Sequence, residues 1–156
     1  MTRTLILSLL LLLSSGWGCG PGSLVTVPDG FVALKGDLND DVAQKMVSAD
    51  GAVVVVRERD NDPYGDLNFW SEALEREIKA GRGYDLVATE EVGSVNHKGR
   101  LLKFKGAFQE ETFHYNVAIF TTPEQIVTVE TVVTEENATR HEETLIKTIS
   151  SLIIAQ

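Results

Sequence analysis

The sequence predicts an α+β fold, an antiparallel sheet of six to seven strands packed with two amphipathic helices. Three observations carry this expectation. Ala49-Asp50-Gly51 joins two apolar stretches, and an Asp-Gly pair between candidate strands marks a hairpin because glycine tolerates positive φ. Leu67, Trp70, Leu74 and Ile78 recur three and four residues apart, the spacing of one helix face. Four apolar stretches between residues 84 and 133 are separated only by short polar turns, which implies antiparallel neighbours.

Residues 31–35 follow the turn signal Pro28-Asp29-Gly30 and form the first expected strand. Residues 44–48 and 52–58 flank the hairpin. Within the second of these, residues 53–56 are four valines without alternation, the pattern of a strand buried on both faces. Residues 60–65 hold Asn, Asp, Pro and Gly and form a loop. Asp66 then caps a helix running to about residue 80, with Glu72, Glu75, Arg76 and Lys79 off the apolar stripe and Gly81 and Gly83 as the stop. Strands are expected over 84–92, 100–105, 112–121 and 125–133. Alternation along the third puts Phe113 and Tyr115 inward and His114 outward. A last helix from about residue 135 to 152 turns Ala138, Leu145, Ile149 and Leu152 toward the core and leaves His141 on its exposed flank. The expected order is β-β-β-α-β-β-β-β-α.

The N-terminus is a targeting segment. Arg3 precedes an apolar run over residues 5–13 interrupted only by Ser8, too short to span a bilayer core, and Ser14, Ser15 and Gly16 follow as in a cleavage region. Cys19, after Gly16-Trp17-Gly18, is the only cysteine and cannot form an intramolecular disulfide. These residues resemble bacterial lipoprotein signal peptides. Gly18 matches the small residue before the lipidated cysteine, whereas Gly16 and Trp17 depart from the pattern and leave ordinary signal-peptidase cleavage open. The resemblance implies a diacylglyceryl group on the Cys19 sulfur, a stable two-chain anchor. Gly20, in place of Asp, implies the outer rather than the inner membrane. The expected organisation is a signal peptide at 1–18, a lipidated tether at 19–30 and one domain at 31–156.

The 156 residues suffice for one domain and not two. Formal net charge is -9, from 14 basic and 23 acidic side chains, which disfavours nucleic acid as a partner. Loss of residues 1–18 removes only Arg3 among the charges, so the remainder is still more acidic and the lipid, not a basic patch, would hold it to a membrane.

Several stretches resemble the PsbP-like fold shared by photosystem II extrinsic subunits and MOG proteins. They are Ala49-Asp50-Gly51, Leu67-Asn68-Phe69-Trp70, Gly99-Arg100-Leu101-Leu102, and residues 113–120 followed by a Val-Thr-Val-Glu strand. The resemblance covers residues 31–154 and implies an accessory or binding role in a larger complex. No phosphate-cradling glycine motif is present, and no cofactor is expected.

Candidate chemistry is sparse. His97, His114 and His141 are far apart, no second cysteine exists for a zinc site, and no Gly-x-Ser-x-Gly elbow is present. Asp60, Asp62 and Gly65 match the first, third and sixth positions of a calcium loop, but Tyr64 and Ser71 stand where the fifth and twelfth ligands belong. Asp60, Asp62 and Asp66 are therefore weak metal candidates, with Asp66 as helix cap the simpler role. Tyr64 and Phe69 lie off the apolar stripe and are expected to line a groove beside this loop. The function expected is a lipid-anchored bacterial envelope protein, a non-catalytic accessory or binding module for an envelope protein partner or a small ligand. The alternatives are a secreted hydrolase with a site hidden in the sequence, or a weak divalent-cation binder.

Overall fold

The structure, a computed structural model, describes residues 22–35 and 38–154. The chain forms β1 (Phe31–Ala33), β2 (Val42–Ser48), β3 (Val53–Asp60), α1 (Leu67–Glu77), β4 (Asp85–Gly93), β5 (Lys98–Phe108), β6 (Glu111–Thr121), β7 (Gln125–Thr134) and α2 (Ala138–Ser150), the order expected. The strands make one antiparallel sheet, β1-β2-β3-β7-β6-β5-β4. Two meanders are joined where β3 pairs with β7, from Val53 opposite Val132 to Asp60 opposite Gln125.

The helices take opposite faces. Asp66 accepts the Phe69 amide at 2.8 Å and opens α1, which continues as a wider π turn over Ile78–Arg82 and ends at Gly83, φ 69°. Gly83, not Gly81, is thus the stop. The stripe Leu67, Trp70, Leu74 and Ile78 packs on Leu102, Phe104, Tyr115, Val117 and Ile119 of β5 and β6. On the other face Leu145, Ile149 and Leu152 cover Met46, Val54, Val56, Ala118 and Val129. Gly99 lets β6 approach closely: a Cβ there would lie 2.6 Å from the Ile119 carbonyl oxygen.

Four expectations need correction. Residues 22–27 are not tether: Leu24 and Ile153 exchange backbone hydrogen bonds at 3.0 and 2.9 Å, Val25 N donates to Gln44 Oε1 at 3.0 Å, and Ser23 and Val25 are buried. The folded body therefore includes residues 22–27, ahead of residue 31; the alternation of Ser23, Leu24 and Val25 is too short to register against Pro28 and Gly30. Residues 53–56 are fully buried on one face only, because Val53 and Val55 point to the α1 side of the sheet over strands that α1 does not reach. His114 faces the α2 layer, with Nε2 2.7 Å from Glu135 Oε2. His141 is largely buried, edge-on to Phe31 at 5.5 Å and 2.9 Å from Asp50 Oδ2.

Asp50, in the β2–β3 turn beside Gly51 (φ 88°), ties that hairpin to α2 by accepting hydrogen bonds from Ser48 Oγ and, at 3.0 Å, Arg140 Nη1. The Ser48 hydroxyl, and after it His141, hold the Asp50 carboxyl far below the usual carboxylate range. A depressed folded value means that the stabilisation is complete above the ordinary carboxylate pKa, about 4, and is lost as pH falls through the folded value. Asp50→Asn is expected to lower the thermal midpoint at neutral pH, with the gap to the parent narrowing steadily below about pH 4. Thermal unfolding across a pH series checks this, and a pH-independent gap contradicts it.

Candidate functional site

Beyond α1, the α1-facing side of β3 and β7 is open. There the sheet and helix enclose a groove of about 600 Å³. Its floor is set by period-two alternation: Arg57 and Arg59 on β3, Thr128 and Glu130 on β7, and Tyr115 on β6 all project to this face. Trp70, Leu74 and Glu77 of α1 form one wall, and Asp41, just before β2, forms part of the other.

A chain of charged hydrogen bonds crosses the floor. Arg57 donates from Nη1 to Asp41 Oδ1 at 3.1 Å and from Nε to Glu130 Oε1 at 2.9 Å. Arg59 Nη2 donates to Asp41 Oδ2 at 2.9 Å, and the Tyr115 hydroxyl donates to Glu130 Oε2 at 3.1 Å. Arg82 stacks over the Tyr115 ring, 5.3 Å from its centroid. The Arg59 hydrogen bond holds the Asp41 carboxyl below its usual range despite partial desolvation, and the charge of Arg57 acts in the same sense. Burial, reinforced by the Glu130 carboxylate, pushes the Tyr115 phenol well above its ordinary value, so it remains a neutral donor. Among the described residues every buried side-chain nitrogen and oxygen has a partner. The groove presents preset donors and acceptors suited to recognition, with no activated nucleophile in the network.

The residues expected at a site are divided by the structure. Asp60 and Asp62 lie on the groove's rim, but Asp66 is turned to the α1 N-terminus. Among the described residues no three His, Cys, Asp or Glu form a metal-ligating group. The loop is closed by Asn61, a buried amide. Its Oδ1 accepts from Gly65 N at 2.9 Å and Trp70 Nε1 at 2.8 Å, and its Nδ2 donates to Gly65 O at 3.0 Å and Thr122 O at 2.8 Å. Tyr64 and Phe69 are 72% and 54% exposed and do not line the groove; Trp70 takes the place expected of them. Cys19 lies outside the described residues.

The histidines occupy three separate places, His97 being in the β4–β5 turn. Ser48, Asp50 and His141 do meet, but in an order that cannot activate the serine. Both Ser48 and His141 bond to Asp50, whereas a hydrolytic triad sets the histidine between serine and carboxylate.

Arg57, Asp41, Glu130 and Arg82 were not singled out as site residues from the sequence, and Tyr115 was expected only to face inward, as it does. One signal was present: Glu130 is the only charge within β7.

Asn61→Ala is expected to cost about 2–4 kcal/mol by leaving the Trp70 indole and the loop amides unpaired, read by urea unfolding. Millimolar calcium is expected to leave the parent's thermal midpoint unchanged. A calcium-dependent rise would restore the aspartates as a cation site.

No family model matches the chain, and no curated protein matches its sequence. Solved structures do match. Cyanobacterial PsbP (CyanoP) from Synechocystis sp. PCC 6803 aligns with a TM-score of 0.63 at 11% identity, covering 86% of this chain and 88% of that one. LpqN, involved in cell envelope biogenesis of Mycobacterium tuberculosis, aligns at 0.62 and 9% identity over 86% of this chain and 87% of its own. PA94 from Pseudomonas aeruginosa, a protein of unknown function, aligns at 0.58 and 12% identity over 81% and 82%. At such identities the likeness is one of architecture: the domain has the PsbP-like α+β fold.

Proposed function

We propose that the chain is a lipid-anchored bacterial envelope protein, held through Cys19, whose domain is a non-catalytic accessory that recognises an envelope protein partner in the α1-face groove. One observation carries the reading. Cys19 stands at the junction of a signal-type segment and the folded body, three residues before Gly22. The envelope role of LpqN, a protein of the same fold, supports the compartment. The groove supports binding: arginine is favoured at recognition hot spots, and here Arg57 is fixed in place before a partner arrives. Gly20 after the cysteine supports the outer membrane over the inner.

Intact mass of the protein extracted from membranes is expected to exceed the residue 19–156 polypeptide by a diacylglyceryl group and an amide-linked acyl chain, with both lost in Cys19→Ala. A soluble, unmodified chain starting near Cys19 would instead indicate a secreted protein. A photo-crosslinker at Thr128 is expected to capture a defined envelope protein, and Arg57→Ala to reduce that adduct at least about tenfold. Equal capture from position 108, at the end of β5, would refute the groove as the binding surface.

A further inference from the structure

We infer that Leu24 and Ile153 form an apolar contact that seats the α2 side of the domain on the bilayer surface next to the lipid anchor, an inference that rests on lipidation of Cys19. The two residues are direct antiparallel partners, exchanging backbone hydrogen bonds at 3.0 and 2.9 Å, so their side chains stand together on one face of the ribbon. Their neighbours Val25, Leu152 and Ile154 point into the core. Leu24 and Ile153 therefore point away from it, 40% and 67% exposed, with Val27 also exposed nearby in sequence. Among the described residues this pair stays partly open to solvent, whereas its neighbours Val25, Leu152 and Ile154 are buried.

The length of chain before the ribbon identifies what covers it. Only three peptide steps separate Cys19 from Gly22, so the two Cα atoms lie within about 11 Å of each other. Gly22 is itself fixed: the Ser23 amide donates to Glu58, Val25 is hydrogen-bonded to Gln44, and Thr26 N donates to Ser151 Oγ at 2.8 Å. A diacylglyceryl group on Cys19 places that residue at the headgroup boundary, and apolar side chains of interfacial segments bury about 5–10 Å at that boundary. The Leu24–Ile153 pair is thereby held within reach of the bilayer and has little freedom to leave it. The contact is apolar, as an acidic domain requires, and needs no anionic lipid. The ribbon lies on the α2 face, so this seating leaves the groove on the opposite face of the sheet open to a partner.

The test uses lipidated Ile153→Cys protein. With Cys19 acylated, position 153 carries the only free thiol and takes an environment-sensitive fluorophore. In phosphatidylcholine vesicles containing doxyl-labelled lipid, the label at 153 is expected to be quenched at least about threefold more than a label in Phe108→Cys, with no sensitivity to salt. Phe108 lies on β5, four strands and about 19 Å across the sheet from β2, whose Gln44 holds the ribbon's Val25. Quenching at 153 is expected to disappear in a Cys19→Ala background labelled at the same site. Acylated protein with equal quenching at 153 and 108 would overturn the seating while leaving the anchor intact. Protein that carries no acyl mass would overturn the anchor and the seating together.

Discussion

A single helix cannot cover a seven-stranded sheet, and the rest of the structure follows from how each face meets that shortfall. The sheet is about 29 Å across its strands, whereas a helix with its side chains is about 10 Å wide. On one face the chain supplies extra cover, since residues 22–27 and the segment after α2 lie beside the helix and complete an apolar core. On the other face α1 is alone. It sits over β5 and β6, and β3 and β7 are left uncovered.

That open half-face is where the fold departs from what packing alone would favour. An apolar floor exposed there would invite aggregation. Instead Arg57, Glu130, Asp41 and Tyr115 interlock across it, each satisfied by another. Ion pairs of this kind, about three-quarters or more removed from water, contribute little net stability compared with apolar residues of similar volume. They hold opposite charges at fixed positions on the open face. The two faces also differ in what they expose: the apolar Leu24–Ile153 ribbon lies on the α2 face, and the charged groove opens on the other.

The elements themselves were legible in the sequence, because each is governed by local chemistry. Gly51 declares the hairpin, Asp66 the helix start, and the Leu67–Ile78 spacing the buried stripe. Long-range placement was not legible. Nothing local says that β3 pairs with β7, or that the two helices take opposite faces, and these facts decide that Val53 and Val55 are half-covered and that His114 lies under α2. The candidate site fared similarly. Aromatic character drew attention to Tyr64 and Phe69, but what places an aromatic beside the groove is the indole N–H of Trp70, anchored by Asn61. Arg57 and Glu130 become neighbours only through the β3–β7 register, diagonally across one strand pair.

The Arg57–Glu130 network is not what holds the sheet together. Urea unfolding of Arg57→Leu, Glu130→Leu and the double substitution tests it most directly. Each single change strands a partly buried charge and is predicted to destabilise, while the double change returns to within about 1 kcal/mol of the parent. A double variant that loses as much stability as the two single changes combined would contradict the account and make the network a structural keystone.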